Sequence, residues 1–411
     1  MQKTRAYLEV QYGDQKPWLC DEIKEFKYVS DMMAVGDVCT FTIVADDKGE
    51  TLRRLPVGAL VKLRLKNEAV NGGNWTLKHL GRITERRASL RSGTIQVTSA
   101  DLGWHLTSCH APSFFQLRGR TLGDVVRPDG SFIDKSFGLQ GVRVNDSNVL
   151  NRRLKQGRAA LQAQMLKVLT PITAIQAEPG EAFLDVITRY CQRENLLINV
   201  SVDGYIQLWN PDYERSPLYA FECSDTRSNV LDADRQDLLA TRFTEVLCVG
   251  ETLQLGVQLN DPTDPNATKR RGYYRAPTLL PFMHRQTSSN AEMLDEQMAA
   301  AQAEWNWKRG LFDSHYLEVR VPDHFQLGPR GGEWLESDHM ADVFFPGLST
   351  RGRYYVQSVV CDSTVKGGDT ATLILRWPYL LSAAYGVWGT RPQLSDPQDT
   401  LALLPGRGGA E

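Results

Sequence analysis

The stretch from Pro179 to Trp209, PGEAFLDVITRYCQRENLLINVSVDGYIQLWN, changes its apolar period once, and that change narrows the possible folds. Phe183, Leu184, Ile187, Tyr190 and Cys191 recur on one helical face, with Glu181, Asp185, Arg189 and Arg193 elsewhere. Pro179 and Gly180 suit the helix entry, and Glu181 and Asp185 lie near its positive end. After Asn195 the period falls to two. Leu196, Ile198, Val200 and Val202 alternate with Asn199 and Ser201, and Asp203-Gly204 supplies a tight turn. Ile206 and Leu208 continue on the return strand, with Tyr205, Gln207 and Trp209 on its other face. One helix and a two-stranded ribbon are too little to stand alone, so docking on a larger sheet is expected.

Upstream, the pattern is all-β. Tyr7–Val10, Phe26–Val29, Cys39–Val44, Leu60–Leu65, Trp75–Ile83 and Thr94–Ser99 read as strands. Pro56-Val57-Gly58-Ala59, Asn71-Gly72-Gly73-Asn74 and Leu90–Gly93 read as turns between them. Short strands at this spacing suggest a small barrel. Beyond it, Thr121–Val126 and Gly157–Leu169 have helical character, and Asp129–Asn151 reads as loop. Cys223–Asp237 reads as a polar connector.

Phe243–Val249 and Leu253–Val257 read as a strand pair, and Asn260–Asn266 as a loop. A helix is expected from Ser288 to Gly310, with Leu294, Met298, Ala301 and Trp305 as its apolar stripe and Gly310 as its stop. Tyr316–Val321, Ala341–Phe345, Arg353–Cys361 and Thr370–Trp377 read as strands. The tail from Arg391 is rich in Pro and Gly and reads as mobile unless a partner orders it. The expected class is therefore α+β and β-rich: two barrel-like modules, 1–108 and 241–382, flank an α/β region, 109–240, and a tail, 383–411, follows.

Charge and cysteine usage exclude several functions. Apolar content of 42% allows real cores, and a formal charge of −2 provides no overall basic field for nucleic acid. The seven cysteines are scattered without a CxxC pair, which points to a reducing compartment. The first residues lack a signal-peptide core, and no run approaches the ~20 apolar residues of a membrane helix. Synthesis in the cytosol is expected.

Candidate chemistry is sparse. Among seven histidines there is no HExxH and no zinc spacing; Asp338-His339 with Asp342 is the nearest metal-like group, and its members alternate across a strand. Cys109-His110 are adjacent, so their side chains diverge. No nucleophile elbow or Walker loop occurs, and Gly328–Gly332 and Gly406–Gly409 read as turn and tail. A glycosidase carboxylate pair remains open. No catalytic, cofactor or metal residue is assigned. Trp307 lies off the Trp305 stripe and is a candidate partner contact, together with Tyr385 and Trp388 after the last strand.

Several stretches in order carry a family resemblance: Leu60-Val61-Lys62-Leu63 after a Pro-Val-Gly turn, Leu80-Gly81-Arg82-Ile83, Ser99-Ala100-Asp101-Leu102 and Thr121-Leu122-Gly123-Asp124-Val125. The helix-hairpin, Arg242–Val246, the Ala-rich helix with Trp305 and Leu373–Pro378 complete the set. Over about residues 1–382 the chain resembles the baseplate hub proteins of contractile-tailed, Mu-like phages, the tail protein P group. It is similar also to the hub-like part of type VI secretion spike proteins. The resemblance implies a homotrimer without catalysis, in which two tube modules per chain make a ring of six. Such a ring adapts a six-fold tail tube to a three-fold central spike. The implied partners are the spike, the tube protein or its initiator, and other baseplate proteins, with DNA passing through the channel unread. The implied location is the virion baseplate, and no membrane span or cofactor is implied. Two alternatives stand beside it, a tail-associated peptidoglycan hydrolase and a type VI spike hub. The absence of an OB module and a β-helical spike disfavours the second.

Overall fold

The computed structural model describes residues 4–46, 49–89, 91–112, 122–129, 132–146, 177, 179–193, 196–249 except 212 and 214, 271–289 except 277 and 278, 296–328, 331–365 and 367–378. The protein is strongly β-rich, and most of its strands join one large, mainly antiparallel sheet. The first part contributes β1 (Arg5–Gln11), β2 (Trp18–Cys20), β3 (Ile23–Asp31), β4 (Val38–Val44), β5 (Leu60–Lys66), β6 (Thr76–Ser89) and β7 (Thr94–Asp101). All six strands expected there form, and the turns fall where Gly and Pro allow them. A short helix, α1 (Glu50–Arg53), sits between β4 and β5.

The middle holds α2 (Trp104–Ser108), α3 (Leu122–Val125), β8 (Gly141–Asp146), α4 (Phe183–Arg193), β9 (Leu197–Val200) and β10 (Tyr205–Asn210). The helix-to-hairpin change of period is real, and Gly204 supplies the positive φ of 83° at the turn. The hairpin docks on the large sheet, through Trp209 and a bond from Asn199 to Asp31 O, and it also has a third strand of its own. That strand is β8, parallel to β10. β8 lies in the stretch read as loop: only Val142 and Val144 carry its strand signal, and its Gly and Asn neighbours mask it. Phe183, Val186, Ile187, Tyr190, Cys191, Ile206 and Leu208 form a core with α2 and α3 residues. Trp209 faces the other way, into the larger core. The helix expected at 157–169 lies outside the described residues.

The last part carries β11 (Tyr219–Glu222), β12 (Asp232–Asp237), β13 (Glu245–Val249), β14 (Arg271–Arg275), β15 (Arg285–Ser289), α5 (Glu296–Ser314), β16 (His315–Pro322), β17 (Phe325–Gly328), β18 (Gly331–Trp334), β19 (His339–Phe345), β20 (Thr350–Thr364) and β21 (Gly368–Arg376). The strand expected at 253–257 lies outside the described residues. β11 and β12 arise within the stretch after the hairpin, β12 in the polar connector itself. DADRQD has little strand propensity, and only pairing with β16 holds it extended.

One pattern occurs twice. The order β3-β4-β7-β6-β5 has every neighbour antiparallel, and so does β12-β16-β21-β20-β19, with the strands met in the same chain order. Each unit contains one long strand with a bulge, β6 between Ile83 and Glu85 and β20 between Val356 and Ser358. The outer neighbours differ: β1 runs antiparallel to β5, β11 parallel to β19.

α5 departs from its expected bounds at both ends: Ser288 and Ser289 belong to β15, paired with β13, and the helix is described from Glu296. It runs past Gly310 to Ser314, because Gly310 serves a close approach and not a stop. A Cβ there would lie 2.4 Å from Thr241 O. The helix packs on β13, β14 and β16, so a one-sided stripe does not describe it. Trp305 and Trp307 are both buried.

Replacing Gly310 by Ala sets a helix-propensity gain of about 1 kcal/mol against an overpacking cost of about 1–3 kcal/mol. The clash is with backbone, so net destabilisation is expected, read as a lower urea midpoint with an unchanged slope.

Candidate assembly site

The two repeated units meet edge to edge. Ser358–Ser363 of β20 pair antiparallel with Asp31–Phe26 of β3, so both belong to one sheet. β20 can do this because it is long: its first half pairs with β19, and beyond its bulge the same edge is taken by β3. The buried cluster runs across the seam, from Leu8, Phe26 and Phe41 to Val359, Leu373 and Trp377.

Polar groups reinforce this ladder. Met32 N donates to Gln357 O (3.1 Å), and Ser30 and Ser337 hydroxyls lie 2.7 Å apart. Gln357 Nε2 donates to the Asp31 carboxylate (3.3 Å), while its Oε1 accepts from Arg376 Nε (2.7 Å). Arg376 Nη1 reaches Phe312 O, Asp313 O and His315 O at 3.1, 3.1 and 3.3 Å, and the guanidinium lies 4.9 Å from the Tyr316 ring centre. A planar fork suits this set of acceptors better than an ammonium. Further contacts pin the units at Lys78–Glu336, at Gly332 N to Ala69 O (2.9 Å) and at Trp334 Nε1 to Thr76 Oγ1 (3.2 Å). Asn199 Nδ2 ties the hairpin to Asp31 O (3.2 Å).

Two carboxyls sit behind the seam. Asp37 accepts from Asp31 N (3.1 Å), and Asp101 Oδ1 accepts from Trp104 N (3.2 Å). Burial, with the charge of Asp101 adding to it, pushes Asp37 up to about 8, and burial pushes Asp101 up to about 7. Burial also drives His79 and His315 down to about 4. His79 Nε2 lies 2.9 Å from Ser99 Oγ, a nucleophile-and-base spacing that the sequence does not reveal. Both residues are closed off, at 3% and 0% exposure, so the bond serves packing.

The sequence-derived site residues separate. Trp307, expected to reach a partner, is 1% exposed in its own chain; its Nε1 donates to Phe243 O (2.7 Å) and its ring lies 4.7 Å from Tyr274. Tyr385 and Trp388 lie outside the described residues. Asp338 accepts from Tyr355 OH (3.1 Å) and Arg215 (3.2 Å), while Asp342 faces Arg353 (3.8 Å), so the two carboxylates serve different partners. Cys109 and His110 pair by backbone with Phe183 and Ala182. All seven cysteines are free, five of them buried. Among the described residues no helix is long and apolar enough to cross a membrane, and no group of His, Cys, Asp or Glu could hold a metal.

Raised carboxyl pKa values contribute stability that is complete below the unfolded value of about 4 and is lost as pH rises through the folded values. The loss for Asp37 and Asp101 therefore runs from about pH 4 up to about 7 and 8; below about 6.5 the buried histidines gain stability as pH rises and oppose it, so the fall stands clear above that value. Asp37→Asn should flatten the fall in melting temperature between pH 6.5 and 9 relative to the parent. Arg376→Lys should lower stability by about 2 kcal/mol, measured by chemical denaturation, through loss of the carbonyl fork.

No family model matches the chain, and no curated protein matches it in sequence. Solved structures do match. A tail protein from Neisseria meningitidis MC58 aligns with a TM-score of 0.69 at 16% identity, over 93% of this chain and 99% of that one. The 43 kDa tail protein of prophage MuSo2 from Shewanella oneidensis gives 0.64 at 13%, over 91% and 98%. An E. coli component of the type VI secretion system gives 0.51 at 9%, over 94% and 79%. The chain has the fold of phage and prophage tail proteins, shared with a type VI secretion component.

Proposed function

We propose that this chain is the structural hub of a contractile phage-tail baseplate, acting as a homotrimer that adapts a six-fold tube to a three-fold spike. The observation that carries the reading is the repeat of one five-strand path within a single chain. Two such units per copy, three copies per ring, give six similar units around an axis and three identical chains. Each unit then serves as one barrel-like tube module, with the helix-hairpin region between them as an α/β insertion. Likeness of fold to tail proteins supports a tail role. Function in this reading resides in interfaces with the spike, the tube protein and other baseplate proteins, in the virion. DNA passes through the ring without being read, and no reaction is catalysed.

Light scattering of the purified chain should give three times the 46.2 kDa protomer, alone or on adding spike and tube protein. A monomer under all these conditions would overturn the hub. Clearing of a cell-wall zymogram by this chain alone would overturn the non-catalytic part.

A further inference from the structure

The repeat leaves one contact unmade. Within the chain, the far half of the second unit's long strand, Ser358–Ser363, is covered by β3, the first strand of the other unit. The equivalent half of the first unit's long strand has no such cover among the described residues. β5 ends opposite Arg82, the last backbone bonds join Ile83 to Gly58 and Ala59, and Glu85–Ser89 are all exposed. β12, which corresponds to β3, pairs among the described residues on one side only, with β16. The amide of Ala233 donates to the carboxylate of Asp232 (2.9 Å) and not to a strand.

These two edges carry opposite charge. β6 beyond its bulge has Glu85, Arg86 and Arg87, and Arg91 follows in the turn. β12 reads Asp-Ala-Asp-Arg-Gln-Asp. Arg86 is held at its edge by bonds to Leu52 O (2.7 Å) and Leu55 O (2.9 Å). Charged edges of this kind keep a strand from pairing with itself and leave it open to its complement.

We propose that β12 of one copy of this chain pairs antiparallel with Arg86–Ser89 of the next copy, repeating the internal β3–β20 seam between chains. The inference rests on the hub reading and specifies its contact. The register follows from superposing the two units. Aligning the bulges puts Arg86 at the position of Val359. Following the ladders β7–β4–β3 and β21–β16–β12 puts Asp237 at the position of Ser30. Val359 faces Ser30 inside the chain, so Arg86 faces Asp237 between chains, Arg87 faces Gln236, and Ser89 faces Asp234. Arg91 then comes abreast of Asp232. The contact is head-to-tail, a different surface on each side, so it propagates round a ring and does not close as a two-fold pair.

The full-length variant Arg87→Cys with Gln236→Cys tests this. Both positions are exposed, and facing residues of a ladder lie within disulfide reach. Mild oxidation should give covalent dimers and trimers on a non-reducing gel, while the parent and each single variant give neither. A register-shifted pair, Ala88→Cys with Gln236→Cys, points to opposite faces and should cross-link far less. A non-covalent trimer that yields no cross-link overturns this pairing and leaves the hub standing. Cross-linking that stops at dimers, or is equal in the shifted pair, overturns the head-to-tail register. A monomer at every concentration overturns the pairing and the hub together.

Discussion

The ladder between Phe26–Asp31 and Ser358–Ser363 makes one sheet out of what would otherwise be two. Its bonds are individually modest, about 0.5–1.5 kcal/mol each, and its strength comes from what stands behind them. Phe26, Tyr28, Val359 and Cys361 are buried at the seam, and the Asp31–Gln357–Arg376 chain satisfies the polar groups that burial would strand. Because both units share one hydrophobic cluster, their relative orientation is set by packing and not by a linker. That rigidity is what lets a repeat inside a chain act as a geometric element.

Much of this was legible from residue order. Strands such as Leu60–Lys66 alternate cleanly between buried and half-buried positions, and Gly58, Gly72 and Gly93 mark their ends with positive φ. The helix-hairpin announced itself through a change of period. β8 and β12 did not, for related reasons. β12 is an edge strand facing water on most of its length, so burial selects no apolar alternation, and its three aspartates read as loop. β8 is held by a parallel neighbour far along the chain, which no local pattern reports. Trp307 falls off the Trp305 stripe and is buried all the same, because α5 is covered on more than one side; a stripe rule assumes a single buried face. Gly310 looked like a stop, yet its role is set by Thr241, 69 positions away in sequence and only visible in three dimensions.

The site itself was the least legible part. A strand edge that could take a second chain has no chemical signature in one dimension, since its residues are ordinary surface residues until the topology is known. Only when β12 is seen to stand where β3 stands does the run of aspartates acquire a counterpart in the arginines after Ile83. The inner and outer edges of the repeat differ in character. The internal copy of the contact is apolar, through Phe26, Tyr28 and Val359, whereas the outer edges are charged. An apolar outer edge would glue copies together indiscriminately; a charged one makes encounter selective and sensitive to ionic strength.

The seam has a consequence for how the polypeptide emerges during synthesis. Gln357 and Asp31 are separated by 326 positions. At ribosomal rates of roughly 5–20 residues per second, β3 must wait on the order of 15–65 s before its covering strand exists. During that interval its outer edge is a bare template for foreign strands. Lys27 on that stretch, and Lys24 and Glu25 just before it, are exposed charges of the kind that discourages such pairing.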